Sequence, residues 1–203
     1  MKEKSFERKT ELLEAALDEF ITKNFEDASL NAVIKNAGIS KGTFYYHFQD
    51  KQALYLFLLE SSVKTKWEFV RNRTKDYSED YDRMDIFEKF RLQAKIGAEF
   101  AAAFPKYHRL SKMLTKEKGS KIYEIAKDAL GDGAENLLEE MIVKAIENGD
   151  FKEEFSREFI VKTVSHLFVH FDEIFHTQED FELKGMLKNL DNFVDFMKGG
   201  LAK

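Results

Sequence analysis

Between Ser40 and Phe48 the sequence Ser40-Lys41-Gly42-Thr43-Phe44-Tyr45-Tyr46-His47-Phe48 places an ammonium, hydroxyls, two phenols and an imidazole within one short segment. Ammonium and hydroxyl groups donate to phosphate oxygens. Side chains of this kind also reach base edges in a groove, where a phenol ring can meet a thymine methyl group. Phe44 and Phe48, four apart, share a helical face and can anchor the segment, leaving Lys41, Thr43, Tyr46 and His47 pointing partly outward with Tyr45 at the boundary. The competing reading is a plain helical hairpin with its aromatics against a core. A second constellation is His166, His170 and Glu173, joined by His176, since histidines at i and i+4 share a face and can ligate a metal. Phe168, Phe171 and Phe175 are interleaved with them, which favours packed or hydrogen-bonded histidines, and no metal or cofactor is expected. The sequence has no glycine-rich phosphate loop, no His-Glu-x-x-His and no serine elbow, so no catalytic residue is assigned and an enzyme is the least supported class.

The segment needs elements that hold it. Ahead of it Leu30, Val33, Ile34 and Ala37 recur at helical spacing, and Gly38 stands where a helix closing on a left-handed residue wants glycine. Ser40 can cap a new helix that starts at Lys41, and Gly42 in its first turn permits a close helix crossing. Asp50 is a good N-cap for a third, longer helix. Upstream, Leu13, Ala16, Leu17 and Phe20 form a stripe ending near Asn24, and Ser29 can cap the helix that follows. Three short helices therefore close a small core by about Phe48.

The run from Phe25 to Leu54, above all Ala37-Gly38-Ile39-Ser40-Lys41-Gly42-Thr43-Phe44-Tyr45-Tyr46-His47-Phe48 with Lys51 and Leu54, resembles the DNA-binding domain of the TetR family of transcriptional repressors. The resemblance implies that the Ser40-Lys41-Gly42 turn opens the recognition helix, that Lys41, Thr43, Tyr45, Tyr46 and His47 meet the operator, and that Lys51 meets a phosphate. Two positions depart from the family's pattern. Asn24 stands where a glycine usually closes the first helix, although Asn tolerates the left-handed conformation. Ile34 stands where a small alanine is usual, which bears on the crossing of the two helices.

Composition sets the frame. The chain has 203 residues, 43% of them hydrophobic, enough for one or two domains with a full core. With one Pro and ten Gly, and Lys, Glu, Leu and Phe abundant, an all-α fold is expected. The absence of Cys excludes disulfides and thiolate metal sites. No stretch of about 18 apolar residues suggests a membrane span, and no signal-like N-terminal run occurs, which fits a cytoplasmic protein. The net charge of −5 argues against nucleic acid, and residues 1–51 carry eight Lys and Arg against nine Asp and Glu. Placement offsets this in part: Lys35, Lys41 and Lys51 lie at the proposed surface, with Lys2, Lys4, Arg8 and Lys9 as a basic tip.

About nine helices are expected: a three-helix helix-turn-helix domain over residues 1–49 and a larger helical effector-binding and dimerisation domain over residues 50–203. The fourth helix should run from Asp50 to about Lys75, linking the two. Residues 75–83 read as the main loop. A fifth helix should span about Asp85 to Ala103, a sixth Pro105 to about Leu114, and a seventh Gly119-Ser120 to Asn148-Gly149, bent at Gly131 and Gly133. The phrase Glu147-Asn148-Gly149-Asp150-Phe151 also resembles the loop before the dimer helices of the TetR family. In the eighth helix Ile160, Val164, Leu167, Phe171 and Ile174 form a stripe, widened by Val161, Phe168 and Phe175. In the ninth the stripe is Leu183, Leu187, Leu190, Val194, Met197 and Leu201, widened by Met186 and Phe193. Faces this broad suit a homodimer through helices eight and nine, closing as a four-helix bundle.

Pattern and resemblance together imply a ligand-responsive repressor that binds a palindromic DNA operator as a dimer and is released by a small hydrophobic or aromatic effector. Trp67, Phe90, Phe100, Phe104, Tyr107, Tyr123 and Phe168 are the candidate effector-binding residues, with ordinary core packing as the alternative for each. A helical small-molecule binder with an incidental helix-turn-helix is the second reading of the whole chain.

Overall fold

The computed structural model describes residues 8–171 and 183–203. The described residues divide into two compact units that interleave in sequence: one holds residues up to Glu68 together with Ala101–Gly131, the other Phe69–Phe100 and Asp132–Lys203.

The first unit opens with α1 (Lys9–Phe20), α2 (Leu30–Asn36) and α3 (Lys41–His47). Helix α4 (Lys51–Lys75) begins here and continues past the unit's limit, and α7 (Pro105–Lys116) and α8 (Lys121–Leu130) complete it. Each start has a local cause. The hydroxyl of Ser29 accepts from the Ala32 amide at 3.3 Å, that of Ser40 from Thr43 at 3.0 Å and that of Ser120 from Tyr123 at 3.2 Å, while the Asp50 carboxylate accepts from Ala53 at 2.7 Å. Pro105 takes the first helical position of α7. The core joins Leu12, Ala16 and Phe20 of α1 to Val33, Phe44, Leu54, Tyr55 and Leu58, and Leu110, Ile122 and Ala126 belong to the same cluster. This is why the division expected after residue 49 does not coincide with the compact units: α4, α7 and α8 bury their apolar faces on the same core as the first three helices.

The second unit contains α5 (Ser78–Tyr81), α6 (Ile86–Ala103, up to Phe100), α9 (Gly133–Asn148), α10 (Arg157–Val169) and α11 (Leu183–Leu201). Its core gathers Ile86, Phe87, Phe90, Ile142, Phe151, Ile160, Val164, Phe171, Leu190, Phe193, Val194 and Met197. Lys152 donates its amide to Leu201 O at 2.9 Å and Lys203 donates to Asp150 O at 3.2 Å, tying the loop before α10 to the end of α11.

The all-α expectation holds, with three local differences. The single long helix expected from Ser120 to Asn148 is two, α8 and α9, because Gly131 adopts φ 67°, ψ 178° and stops α8 rather than bending it. The expected loop of residues 75–83 contains one helical turn, α5. Asn24 is not left-handed, since Arg8 is the one non-glycine residue with positive φ among those described. Asn24 instead uses its side chain, accepting from the Asp27 amide at 2.8 Å. Ile174, Phe175 and the side chains of Leu183 and Met186 lie outside the described residues.

Candidate nucleic-acid interface

The α2–α3 connection is built by its backbone. Gly38, at φ 64°, lets the Ile39 amide donate to Ile34 O at 3.2 Å, closing α2. Ser40 then starts α3, its hydroxyl also 2.8 Å from that of Thr43. Phe44 is fully buried and stacks on Phe48 with ring centroids 5.9 Å apart, and Phe48 meets Phe57 of α4 at 5.5 Å. These contacts fix the rotation of α3 about its axis. Ser40, Lys41 and Gly42 are consequently exposed, Thr43 and His47 half-buried, and Tyr45 and Tyr46 are 57% and 77% exposed. Large rings kept in water forgo the gain of burial, and among the described aromatic residues of this unit these two tyrosines are more exposed than Trp67, at 40%. Tyr45 sits edge-on to Phe44 and Tyr46 edge-on to His47, at 5.2 and 4.8 Å.

Lys51 behaves otherwise. Its ammonium donates to the carbonyls of Phe25, Glu26 and Ala28 at 2.6, 3.1 and 2.9 Å and lies 4.5 Å from the centre of the Phe25 ring. All three of its protons are engaged by the α1–α2 loop. A phosphate at Lys51 would have to compete with those carbonyls.

Other groups converge on the same loop. The Glu19 carboxylate accepts from the Ser29 amide and the Lys23 ammonium, both at 2.7 Å, and these bonds, Lys23 first, hold its carboxyl below the ordinary range. Glu117, at the end of α7, accepts from the Phe25 amide at 2.5 Å. At the other end of α7, Lys106 pairs with Glu14 and Asp18 of α1 at 2.6 and 2.7 Å, and both carboxylates raise its affinity for the proton. Arg8 donates to Gly38 O at 2.8 Å. The sequence carries no mark of these clamps: Glu117 and Phe25 are 92 residues apart.

The seven aromatic candidates for an effector fall in both units. Trp67, Phe104, Tyr107 and Tyr123 belong to the first, where Trp67 is 40% exposed and Phe104 stacks on Tyr107 at 6.4 Å. Phe90, Phe100 and Phe168 belong to the second. There Phe90 and Phe168 contact each other at 4.1 Å inside the core and Phe100 meets Phe69 at 5.8 Å, so much of their surface is already spent on packing. The rings of His166 and His170 are 4.1 Å apart, with His170 Nδ1 2.9 Å from His166 O. Glu173 and His176 lie outside the described residues, and among the described residues no group of three metal-binding side chains occurs.

Residues 12–57 match the model of the bacterial regulatory proteins of the tetR family, and that span contains the caps, the left-handed glycine and the exposed face of α3. The chain carries a TetR-family helix-turn-helix domain. An HTH-type transcriptional regulator of Staphylococcus aureus is 30% identical over 96 residues, 47% of this chain and 52% of the relative. The chain thus spans about half the length of this curated relative. Solved structures extend the likeness in fold. A TetR-family transcriptional regulator from Chloroflexus aurantiacus has a TM-score of 0.63 at 20% identity, covering 97% of this chain and 94% of the other. The Bacillus subtilis regulator FadR, solved with stearoyl-CoA, has a TM-score of 0.66 at 19% identity, covering 93% and 96%. Beyond the TetR-family domain the helical region therefore shares the fold of such regulators.

Proposed function

We propose that the chain is a ligand-responsive transcriptional repressor that binds a palindromic operator as a homodimer and is released by a small hydrophobic or aromatic effector in the cytoplasm. The observation that carries the reading is the face of α3, where Tyr45 and Tyr46 stay exposed beside Lys41 and Thr43 while Phe44 is fully buried beneath them. An aromatic and cationic face on a rigid helix suits a major groove, with Lys41 and the hydroxyls on phosphates and the phenol rings against bases. Two such helices one DNA turn apart require a dimer. Phe159 and Val169 of α10 and Phe196 of α11, 46%, 49% and 75% exposed, are the surface offered to it. Leu190 and Val194 are buried in the protomer's own core and serve the dimer only indirectly. Helix α4 carries Lys51 at one end and Trp67 further along, so an effector that shifts α4 changes the setting of the reading helices, by its differential affinity for the two states.

The test is a gel shift with the DNA upstream of the chain's own gene. Wild type should bind, and Lys41→Ala combined with Tyr46→Ala should lose at least about tenfold in affinity with no change in melting temperature. Wild-type affinity and salt dependence in the double variant would remove the assignment. Phe196→Glu should yield monomers in analytical ultracentrifugation, and an unchanged mass would exclude α11 from the interface.

A further inference from the structure

Arg8, at φ 71° and ψ 25°, has a left-handed backbone, which a residue with a Cβ adopts only where its surroundings hold it there. Its carbonyl accepts from the Leu12 amide at 3.1 Å and so opens α1, while its side chain leaves that helix for the α2–α3 turn. There Nη1 donates to Gly38 O at 2.8 Å, across 30 residues of chain. The guanidinium lies against the glycine itself, since a Cβ at Gly38 would stand 2.5 Å from Nη1. Gly38 thus serves twice, as the left-handed close of α2 and as the seat of a cation.

That carbonyl takes one of the five guanidinium donors. Arg8 is exposed, and among the described residues no carboxylate pairs with it and no second acceptor meets it. Its seat lies two residues before Ser40, the cap of α3, and three before the exposed Lys41. When a helix-turn-helix docks, the N-terminal residues of the second helix meet base edges while the first helix crosses the backbone, so the turn between them passes beside phosphates.

We propose that Arg8 is a further DNA-contacting residue, its guanidinium held on the Gly38 carbonyl and its remaining donors receiving one backbone phosphate beside the groove that α3 enters. The assignment rests on the DNA-binding reading above and deepens it. A planar fork with one N–H already fixed keeps the others oriented, so less freedom is lost when the phosphate arrives. Arg8 also supplies a contact that Lys51, with its three protons on carbonyls, does not offer without giving them up. Such a contact fixes register and carries no sequence information.

The test is fluorescence anisotropy of the full-length protein on labelled DNA from upstream of its gene, and on an unrelated duplex, from about 50 to 200 mM salt. Arg8→Gln keeps an N–H for Gly38 O and removes the charge. It should bind both duplexes about tenfold more weakly, and the slope of log affinity against log salt should become shallower by about one per protomer. Arg8→Lys should keep the wild-type slope. A wild-type slope in Arg8→Gln would overturn the contact even if affinity fell, because a bond that only positions the turn releases no counterions. A loss confined to the upstream DNA, or an Arg8→Lys slope as shallow as that of Arg8→Gln, would overturn it too. Wild type binding neither duplex would remove the repressor reading and this contact together, whereas wild-type binding with an unaltered Arg8→Gln removes the contact alone.

Discussion

The loop leading into α2 and α3 and the seam between α6 and α11 are both laced with charge, but the charges do different things. Around the loop, Lys51, Glu19 and Glu117 bond to backbone groups of residues 25–29, groups that no helix satisfies. At the seam, Arg91 pairs with Asp195 and reaches Asp191 at 3.7 Å, and Lys198 pairs with Asp85 at 2.6 Å, side chain to side chain. Bonds to orphaned backbone fix a path the chain would not otherwise keep. Ion pairs at a rim decorate helices that Val194, Phe193 and Ile86 already hold together. The DNA-binding role proposed for α3 needs the first kind, because its accuracy depends on where a loop delivers a helix.

The largest effect should come from the core that both kinds of charge presuppose. Phe44→Ala should cost about 3–5 kcal/mol in urea unfolding, since the ring is fully buried and aligns α3 on α4. Lys51→Met keeps the apolar stem and strands three carbonyls; a loss of about 2 kcal/mol is expected, with faster amide exchange at residues 25–29. Glu19→Gln should cost about 1 kcal/mol at neutral pH. The sign with pH follows from its carboxyl being held below the ordinary 4.5 by Lys23 and the Ser29 amide. Its contribution is complete above about pH 4.5 and is lost as the pH falls through the lower folded value, so the variant and wild type should converge on acidification. Arg91→Met should change stability by no more than about 1 kcal/mol, both its partners being more than half exposed. If Arg91→Met costs as much as Lys51→Met, the contrast between loop and seam is lost.

What was legible in the sequence was local. Ser29, Ser40, Asp50 and Ser120 cap the helices they precede, and Gly38 takes the left-handed turn, because a cap and its amide lie three residues apart and the chemistry is written in the types. The alternation that buries Phe44 and exposes Tyr46 was readable for the same reason. Leu190 and Val194 were ambiguous because a stripe of period 3.6 looks alike whether it faces its own core or a partner. The sequence around Gly131 predicts a bend rather than a stop, since composition does not say which glycine takes a positive φ. The role of Lys51 was hidden most deeply. Its acceptors are carbonyls, which every residue has, so no side-chain type betrays them.

The bond from Phe25 to Glu117 and the pairing of Lys106 with Glu14 each span 92 residues, and α8, which finishes the same core, ends at Leu130. The unit that carries α3 is therefore closed only once α7 and α8 have been synthesised. At a synthesis rate of roughly 5–20 residues per second, the Phe25 amide waits about 5–20 s for its acceptor. During that interval the nascent α1–α3 segment lacks Leu110, Ile122 and Ala126 and carries an uncovered apolar face. Under the proposed function, DNA binding is thereby tied to translation having passed α7 and α8, so a truncated product ending near residue 68 should aggregate or be degraded instead of occupying DNA.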